Sequence, residues 1–168
     1  MPRYIRNYVA GGTYFLTLVT HERRPMFNSE LSIQKFFDGV DKVQNYHPFD
    51  LLAYCVLPDH IHLLLKLPYG DCDYSTRIKE IKRKTTLLIR NSQKEPNLTV
   101  WQNRFWEHTI RDLEDLQNHA DYIHYNPVKH GYCGNLKDWK WSSIQMCDNP
   151  GREVDPKVFL KSKFTFGE

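Results

Sequence analysis

Two apolar runs of strand length lie almost end to end, Leu51 to Leu57 and then His60 to Leu67, with only Pro58-Asp59 between them. Runs that short and that close pair as adjacent antiparallel strands, which commits the chain to an antiparallel sheet. Pro-Asp is not the usual Asn-Gly turn, so a wider connection than a two-residue hairpin is expected. The remaining elements fall around this pair. Tyr14 to Thr20 follows Gly11-Gly12, is rich in aromatic and β-branched types, and reads as a strand. Leu31 to Tyr46 spaces Ile33, Phe36, Phe37, Val40 and Val43 as one face of a helix. Ser75 is placed to cap a helix through about Arg90 that buries Ile78, Ile81, Thr85 and Leu88. The aromatic segment Val100 to Trp106 reads as a strand running into Ile110, and Asp112 caps a last helix ending near Asn126-Pro127. The order β-α-β-β-α-β predicts an α+β, ferredoxin-like sandwich with helices on one face of an antiparallel sheet, followed by a further helix. The C-terminal part, with Trp139, Trp141 and Pro156, reads as an irregular extension packed back on the domain.

Composition narrows the classes. Hydrophobic residues make up 40% of the 168 residues and aromatics 14%, enough for a real core, which excludes a disordered tail or a disulfide-stapled miniprotein. No repeat or flexible linker divides the chain, so residues 1–168 are expected to form one domain. No apolar run approaches the roughly 20 residues of a membrane helix. The start, Met1-Pro2-Arg3-Tyr4-Ile5-Arg6, lacks a secretory h-region, and a cytoplasmic protein is expected. Cys55, Cys72, Cys133 and Cys147 form no C-x-x-C pair and read as reduced, mostly structural residues. The net charge is only +3, yet the stretch from Arg77 to Arg90 alone carries +5 through Arg77, Lys79, Lys82, Arg83, Lys84 and Arg90 against Glu80. Positive charge gathered on one element is the footprint expected for a polyanion.

Chemistry is concentrated in two places. On a strand, His60 and His62 share one face while Ile61, Leu63, Leu65 and Leu67 share the other, so the imidazoles are expected on the open side of the sheet. Two imidazoles so placed can converge on one divalent ion, or stand as two unrelated surface histidines. In the last helix, Leu113, Leu116, Ala120 and Ile123 form an apolar stripe. Tyr122 lies about 130° from its centre and Asn126 about 90°, which turns both off the core, one turn apart. An amide oxygen beside a His-x-His strand supplies the oxygen ligand that Mg²⁺ or Mn²⁺ accepts. Tyr125 is the rival tyrosine, turned about 100° from Asn126. His124 falls near the apolar stripe and reads as structural.

Four segments then carry a resemblance: Leu57-Pro58-Asp59-His60-Ile61-His62-Leu63-Leu64-Leu65, Trp101-Gln102-Asn103-Arg104-Phe105-Trp106-Glu107-His108, Asp121-Tyr122-Ile123-His124-Tyr125-Asn126-Pro127-Val128-Lys129-His130-Gly131, and Trp139-Lys140-Trp141-Ser142-Ser143. In this order they resemble the motif set of the REP-associated tyrosine transposases, single-tyrosine members of the HUH endonuclease superfamily. The resemblance spans about Tyr14 to Ser143. It implies a ferredoxin-like fold and metal-dependent nicking and joining of single-stranded DNA beside palindromic hairpins. Carried over by position, His60 and His62 are metal ligands, Tyr122 is the nucleophile and Asn126 the third ligand, where relatives outside this branch often have Gln. The implied cofactor is Mg²⁺ or Mn²⁺. The implied partner is hairpin-bearing single-stranded DNA of the repetitive extragenic palindrome type, bound by a monomer or homodimer at the bacterial nucleoid.

Further residues are candidates to support that chemistry. Asp59, Glu107 and His108 can back the metal site, or serve the fold as polar partners, and His119 can take the phenol proton one turn before Tyr122. Arg77, Lys79, Lys82, Arg83, Lys84 and Arg104 are the candidate phosphate contacts, with Arg3, Arg6, Arg23, Arg24 and Arg111 extending the track. Exposed aromatics among Tyr4, Tyr8, Trp101 and Trp106 can stack unpaired bases. Two other classes stay open at this level: a catalytically inactive or domesticated hairpin-binding protein, and a metal-dependent hydrolase that does without Tyr122.

Overall fold

The computed structural model describes residues 6–147. Strands β1 (Thr13–Val19), β2 (Asp50–Val56), β3 (His60–Lys66) and β4 (Trp106–Thr109) form one antiparallel sheet in the order β2-β3-β1-β4. Helix α1 (Glu30–Gln44) links β1 to β2, α2 (Tyr74–Gln93) links β3 to β4, and α3 (Leu113–Lys129) follows β4. This is the ferredoxin-like arrangement with its extra helix.

Local chemistry sets the ends of each helix. Ser29 and Ser32 form a reciprocal capping box at the start of α1. Helix α2 begins two residues earlier than Ser75 suggests, because the Asp73 side chain accepts from the Thr76 N–H at 2.9 Å. A carboxylate caps better than a hydroxyl that is already engaged, and Ser75 Oγ accepts from Arg6 instead. The helix runs past Arg90 to Gln93 and stops where Lys94 turns left-handed, at φ 57°. Asp112 caps α3 through the Asp115 N–H, as expected, but the helix continues beyond Asn126 with Pro127 inside it, to Lys129.

The two faces of the sheet meet different helices. Tyr14, Leu16 and Leu18 of β1 and Ile61, Leu63 and Leu65 of β3 pack against Ile33, Phe36 and Val40 of α1 and Ile78, Ile81 and Ile89 of α2. Ile89, rather than Leu88, completes the buried stripe of α2. On the reverse face Phe15, Ala53, Cys55, Leu57 and Leu64 meet Tyr122 and Ile123 of α3. That side is therefore not open. Helix α3 covers it, and His60 and His62 are buried.

The aromatic segment after Pro96 forms less strand than its composition suggests. Trp101 makes a single bridge to Thr20, then turns its indole into the core against Phe27 and Phe36 and donates to the Lys82 carbonyl, so continuous pairing begins only at Trp106. Burial removes Trp101 from the base-stacking candidates. Trp106 is half-buried, Tyr8 is exposed, and Tyr4, Arg3 and Pro156 lie outside the described residues. The chain beyond α3 does pack back. Trp139 Nε1 donates to the Val56 carbonyl, the Val56 N–H to the Trp141 carbonyl, and the Tyr54 N–H to Ser143 Oγ. All four cysteines are free.

The contact between α1 and α2 depends on Gly39. A Cβ there would stand 2.7 Å from Thr85 Oγ1 and 3.2 Å from the Thr85 nitrogen, part of which is backbone that cannot give way. Alanine would gain about 1 kcal/mol in helix propensity but overpack the crossing by about 1–3 kcal/mol. Gly39→Ala is expected to be net destabilising, by about 1 kcal/mol, read as a lower urea midpoint at unchanged slope.

Candidate active site

Register places the two histidines. His62 sits across from Thr17 on β1 and Cys55 on β2, and His60 across from Val19, so the centre of the sheet presents both rings to α3. Their centroids are 5.0 Å apart, nearly perpendicular. The Asp59 carboxylate accepts from His60 Nδ1 at 2.7 Å and from Arg23 Nη1 at 3.1 Å. Burial pushes the Asp59 carboxyl up, but the His60 and Arg23 hydrogen bonds and charges outweigh it and hold it below its ordinary value. An ionised Asp59 favours a proton on His60 Nδ1, the arrangement in which a metal-ligating imidazole presents Nε2, here aimed at α3. There Asn126 Oδ1 stands 3.3 Å away. An imidazole nitrogen and an amide oxygen facing each other can share a proton or both turn to a cation. Thr17 Oγ1 lies 3.0 Å from His62 Nδ1 and can hold that ring in the same way. Two imidazole nitrogens and an amide oxygen fit a Mn²⁺- or Mg²⁺-type ion that completes its shell with oxygens.

Helix α3 delivers the tyrosine. Tyr122 is one turn before Asn126, and its ring lies 5.4 Å from that of His62 and 5.9 Å from that of Phe15, edge-on to both. Tyr122 is 1% exposed, so it does not point off the core as the helical wheel suggests. Leu113, assigned to the core stripe, is 81% exposed. The buried side of α3 is instead Asp115, His119, Tyr122, Ile123 and Asn126, because the sheet face it covers carries histidines and a threonine rather than an unbroken apolar surface.

Other candidates are placed elsewhere. Glu107 lies on the opposite sheet face, where Tyr74 donates to its carboxylate at 2.9 Å. His108 and His119 come together on the α3 side, 4.6 Å apart and nearly parallel, around Asp115. His108 Nε2 donates to Asp115 Oδ2 at 2.8 Å, and His119 Nδ1 to the Asp115 backbone carbonyl at 2.8 Å. His119 is therefore buried in a neighbouring cluster, and burial lowers its pKa. Phe15 lies between that cluster and the site, 4.8 Å from the His119 ring and 5.4 Å from that of His62. His124 Nε2 lies 2.9 Å from Ser143 Oγ, in the segment that packs back on β2.

The basic stretch divides by role. Arg77 is buried and bonded to the Pro48 and Asp73 carbonyls and to Asp71 at 2.6 Å, so it joins loops together and does not face solvent. Lys82 donates to the Gln102 and Asn103 carbonyls, and burial, with the Arg6 charge adding, lowers its pKa to about 8. Lys79, Arg83 and Arg104 are exposed and Lys84 is half-exposed, with Arg83 paired to Glu80. Helix α2 packs on the face away from His60 and His62. Sequence reasoning did not single out Lys129, whose Nζ donates to Tyr122 Oη at 3.2 Å, or His130, whose ring lies 5.0 Å from that of His60. The seven-residue step from Tyr122 to Lys129 was the available signal.

The family profile described as "Transposase IS200 like" matches residues 8–126, which takes in His60, His62, Tyr122 and Asn126. The chain belongs to the IS200-like transposases. Within that family it is 39% identical over 146 residues to the REP-associated tyrosine transposase of Escherichia coli strain K12, covering 86% of this chain and 83% of that protein. A Haemophilus influenzae protein that carries the same designation provisionally is 43% identical over 167 residues, covering 95% and 91%. A solved structure described as a REP-associated tyrosine transposase bound to a REP hairpin superposes with a TM-score of 0.80 at 35% identity, over 100% of this chain and 98% of that one. Among the described residues no helix of this IS200-like transposase is long and apolar enough to cross a membrane.

The Asp115 cluster ties α3 to β4 beside the site, and its energetics are testable. Burial raises the Asp115 carboxyl, but the His108 hydrogen bond and those from Arg111 outweigh it and bring the value from 3.8 down to about 2. A depressed carboxyl contributes stability that is present above its unfolded value and lost as pH falls through its folded value. The contribution should therefore be complete above about pH 4 and vanish toward pH 2. Asp115→Asn is expected to cost about 2–3 kcal/mol at neutral pH and to flatten stability against pH across that window, measured by urea denaturation.

Proposed function

We propose that the chain is a metal-dependent single-stranded DNA endonuclease and strand transferase that acts beside REP-type hairpins through a covalent 5′-phosphotyrosine on Tyr122. One observation carries the reading: two histidines on adjacent same-face positions of β3, an amide oxygen 3.3 Å from one of them, and a tyrosine edge-on to the other come together on the α3 side of the sheet. The hairpin-bound relative supports the substrate class.

His60, His62 and Asn126 would hold the ion, and Asp59 and Thr17 would orient the two rings. A bound divalent ion supplies Lewis-acid polarisation of a phosphate oxygen and positioning for in-line attack. Tyr122 Oη attacks phosphorus, the bond to O3′ breaks, and the 5′ end of the downstream fragment stays on the tyrosine. The phosphodiester's energy is thereby kept in the covalent link. A second 3′-hydroxyl can then reverse the step and join strands without ATP.

Mapping the adduct tests the mechanism. Tyr122→Phe is expected to fold and to bind hairpin DNA but to yield neither cleavage nor adduct, since it loses one hydroxyl and keeps its packing. Tyr125→Phe should retain both activities, and His62→Ala should bind without cleaving. Peptide mapping by mass spectrometry should find the nucleotide on Tyr122. A nucleotide on Tyr125, or a 5′-phosphate product with no adduct at any time, would overturn the mechanism.

Phosphate contacts are expected from the cations of α2 that the fold leaves at its surface, Lys79, Arg83 and Lys84. Changing all three to Gln should lower the log–log salt slope of single-strand binding by about 0.7 per lost contact. An unchanged slope would make this a solvated helix face. Arg77→Gln, in contrast, is expected to show its effect in thermal stability.

A further inference from the structure

Tyr122 is buried, yet the mechanism above requires negative charge on its oxygen. Burial limits how far water can spread that charge, and an uncompensated buried anion is costly. Lys129 meets the oxygen. Seven residues after Tyr122, it falls within about 20° of the same line along α3, on the side that also carries Asn126. Its ammonium donates to Tyr122 Oη at 3.2 Å and lies 5.1 Å from the centre of the ring, so the charge sits close to both the oxygen and the aromatic system. Position adds to this. Lys129 closes the last turn of α3, where the helix dipole favours a cation. It also lies beyond residues 8–126, the span of the family match.

We propose that Lys129 is a catalytic residue whose ammonium stabilises the Tyr122 oxygen as it attacks phosphorus and again as it leaves. The role rests on the phosphotyrosine reading above. In the forward step the Oη–P bond forms and the P–O3′ bond breaks. The phenol proton passes to water, and the departing O3′ takes one from water. In the return step a 3′-hydroxyl gives its proton to water, the O3′–P bond forms and the Oη–P bond breaks, and the phenolate is released onto the Lys129 ammonium before it is reprotonated. Lys129 acts as a donor and a charge, and no proton is routed through it.

The test compares single-turnover adduct formation on a hairpin-bearing oligonucleotide with Mn²⁺ for the full chain and its variants, with hairpin affinity measured alongside. Lys129→Met keeps an unbranched side chain of similar length and removes the charge; Lys129 is exposed, so the variant should fold. Its rate is expected to fall about 10²-fold, the effect of removing one donor from a developing oxyanion, while hairpin affinity stays within about twofold. Lys129→Arg should recover part of the rate. Difluorotyrosine at position 122, which spreads oxygen charge into the ring, should narrow the Lys129→Met deficit. The role is overturned by an unchanged Lys129→Met rate, by a loss matched in hairpin affinity, or by a deficit that fluorination leaves unaltered. Absence of any Tyr122 adduct in the unmodified protein would overturn the mechanism and this role together. An adduct there with normal Lys129→Met kinetics overturns the role alone.

Discussion

Successive residues of β3 point to opposite sides of the sheet, and each side has its own partner. Ile61, Leu63 and Leu65 are gripped by α1 and α2, while His60, His62 and Leu64 face α3. A slip of one residue in this register would drive two imidazoles into the apolar core and turn three aliphatic side chains toward the polar side. Core and site therefore specify each other. The hydrophobic energy that fixes Leu63 is also what holds His62 opposite Thr17 and Cys55. The irregularity in β2, between Leu51 and Ala53, lies toward the far end of the pair from His60.

What the sequence made legible follows from which rules depend on the chain alone. Period-2 alternation needs no knowledge of the partner, so the facing of His60 and His62 was readable. The 3.6-residue period likewise put Tyr122 and Asn126 together. The rule that apolar residues mark the buried side of a helix depends on what the helix meets. It failed for α3, where Asp115, His119 and Asn126 are buried and Leu113 is not. The expected exposure of Tyr122 failed with it. Trp101 misled in another way: its composition suits a strand, but an indole that finds space against Phe27 and Phe36 ends the pairing.

Charge was the least legible feature. A run of cations on one helix has the look of a single surface, yet Arg77 is consumed in holding the Pro48 and Asp71 loops and Lys82 in satisfying two carbonyls. Net charge counts these residues, whereas only geometry tells which of them meet solvent. The sheet also stands between the cations of α2 and the histidines. One element can then change its charge without touching the residues around the histidines.

The segment that follows α3 has a meaning beyond local packing. By pairing Cys55 with Ser142 and engaging the backbone of Tyr54 and Val56, it occupies part of the outer rim of β2. An unpaired rim is a template on which another molecule can add a strand. Here one rim is partly taken by the chain's own later residues, and the other is β4, only four residues long. Neither offers a long free run of backbone. Growth from sheet to sheet, the common route by which small open α/β sandwiches aggregate or exchange elements, is disfavoured from both ends, and contact between copies falls to helices and side chains.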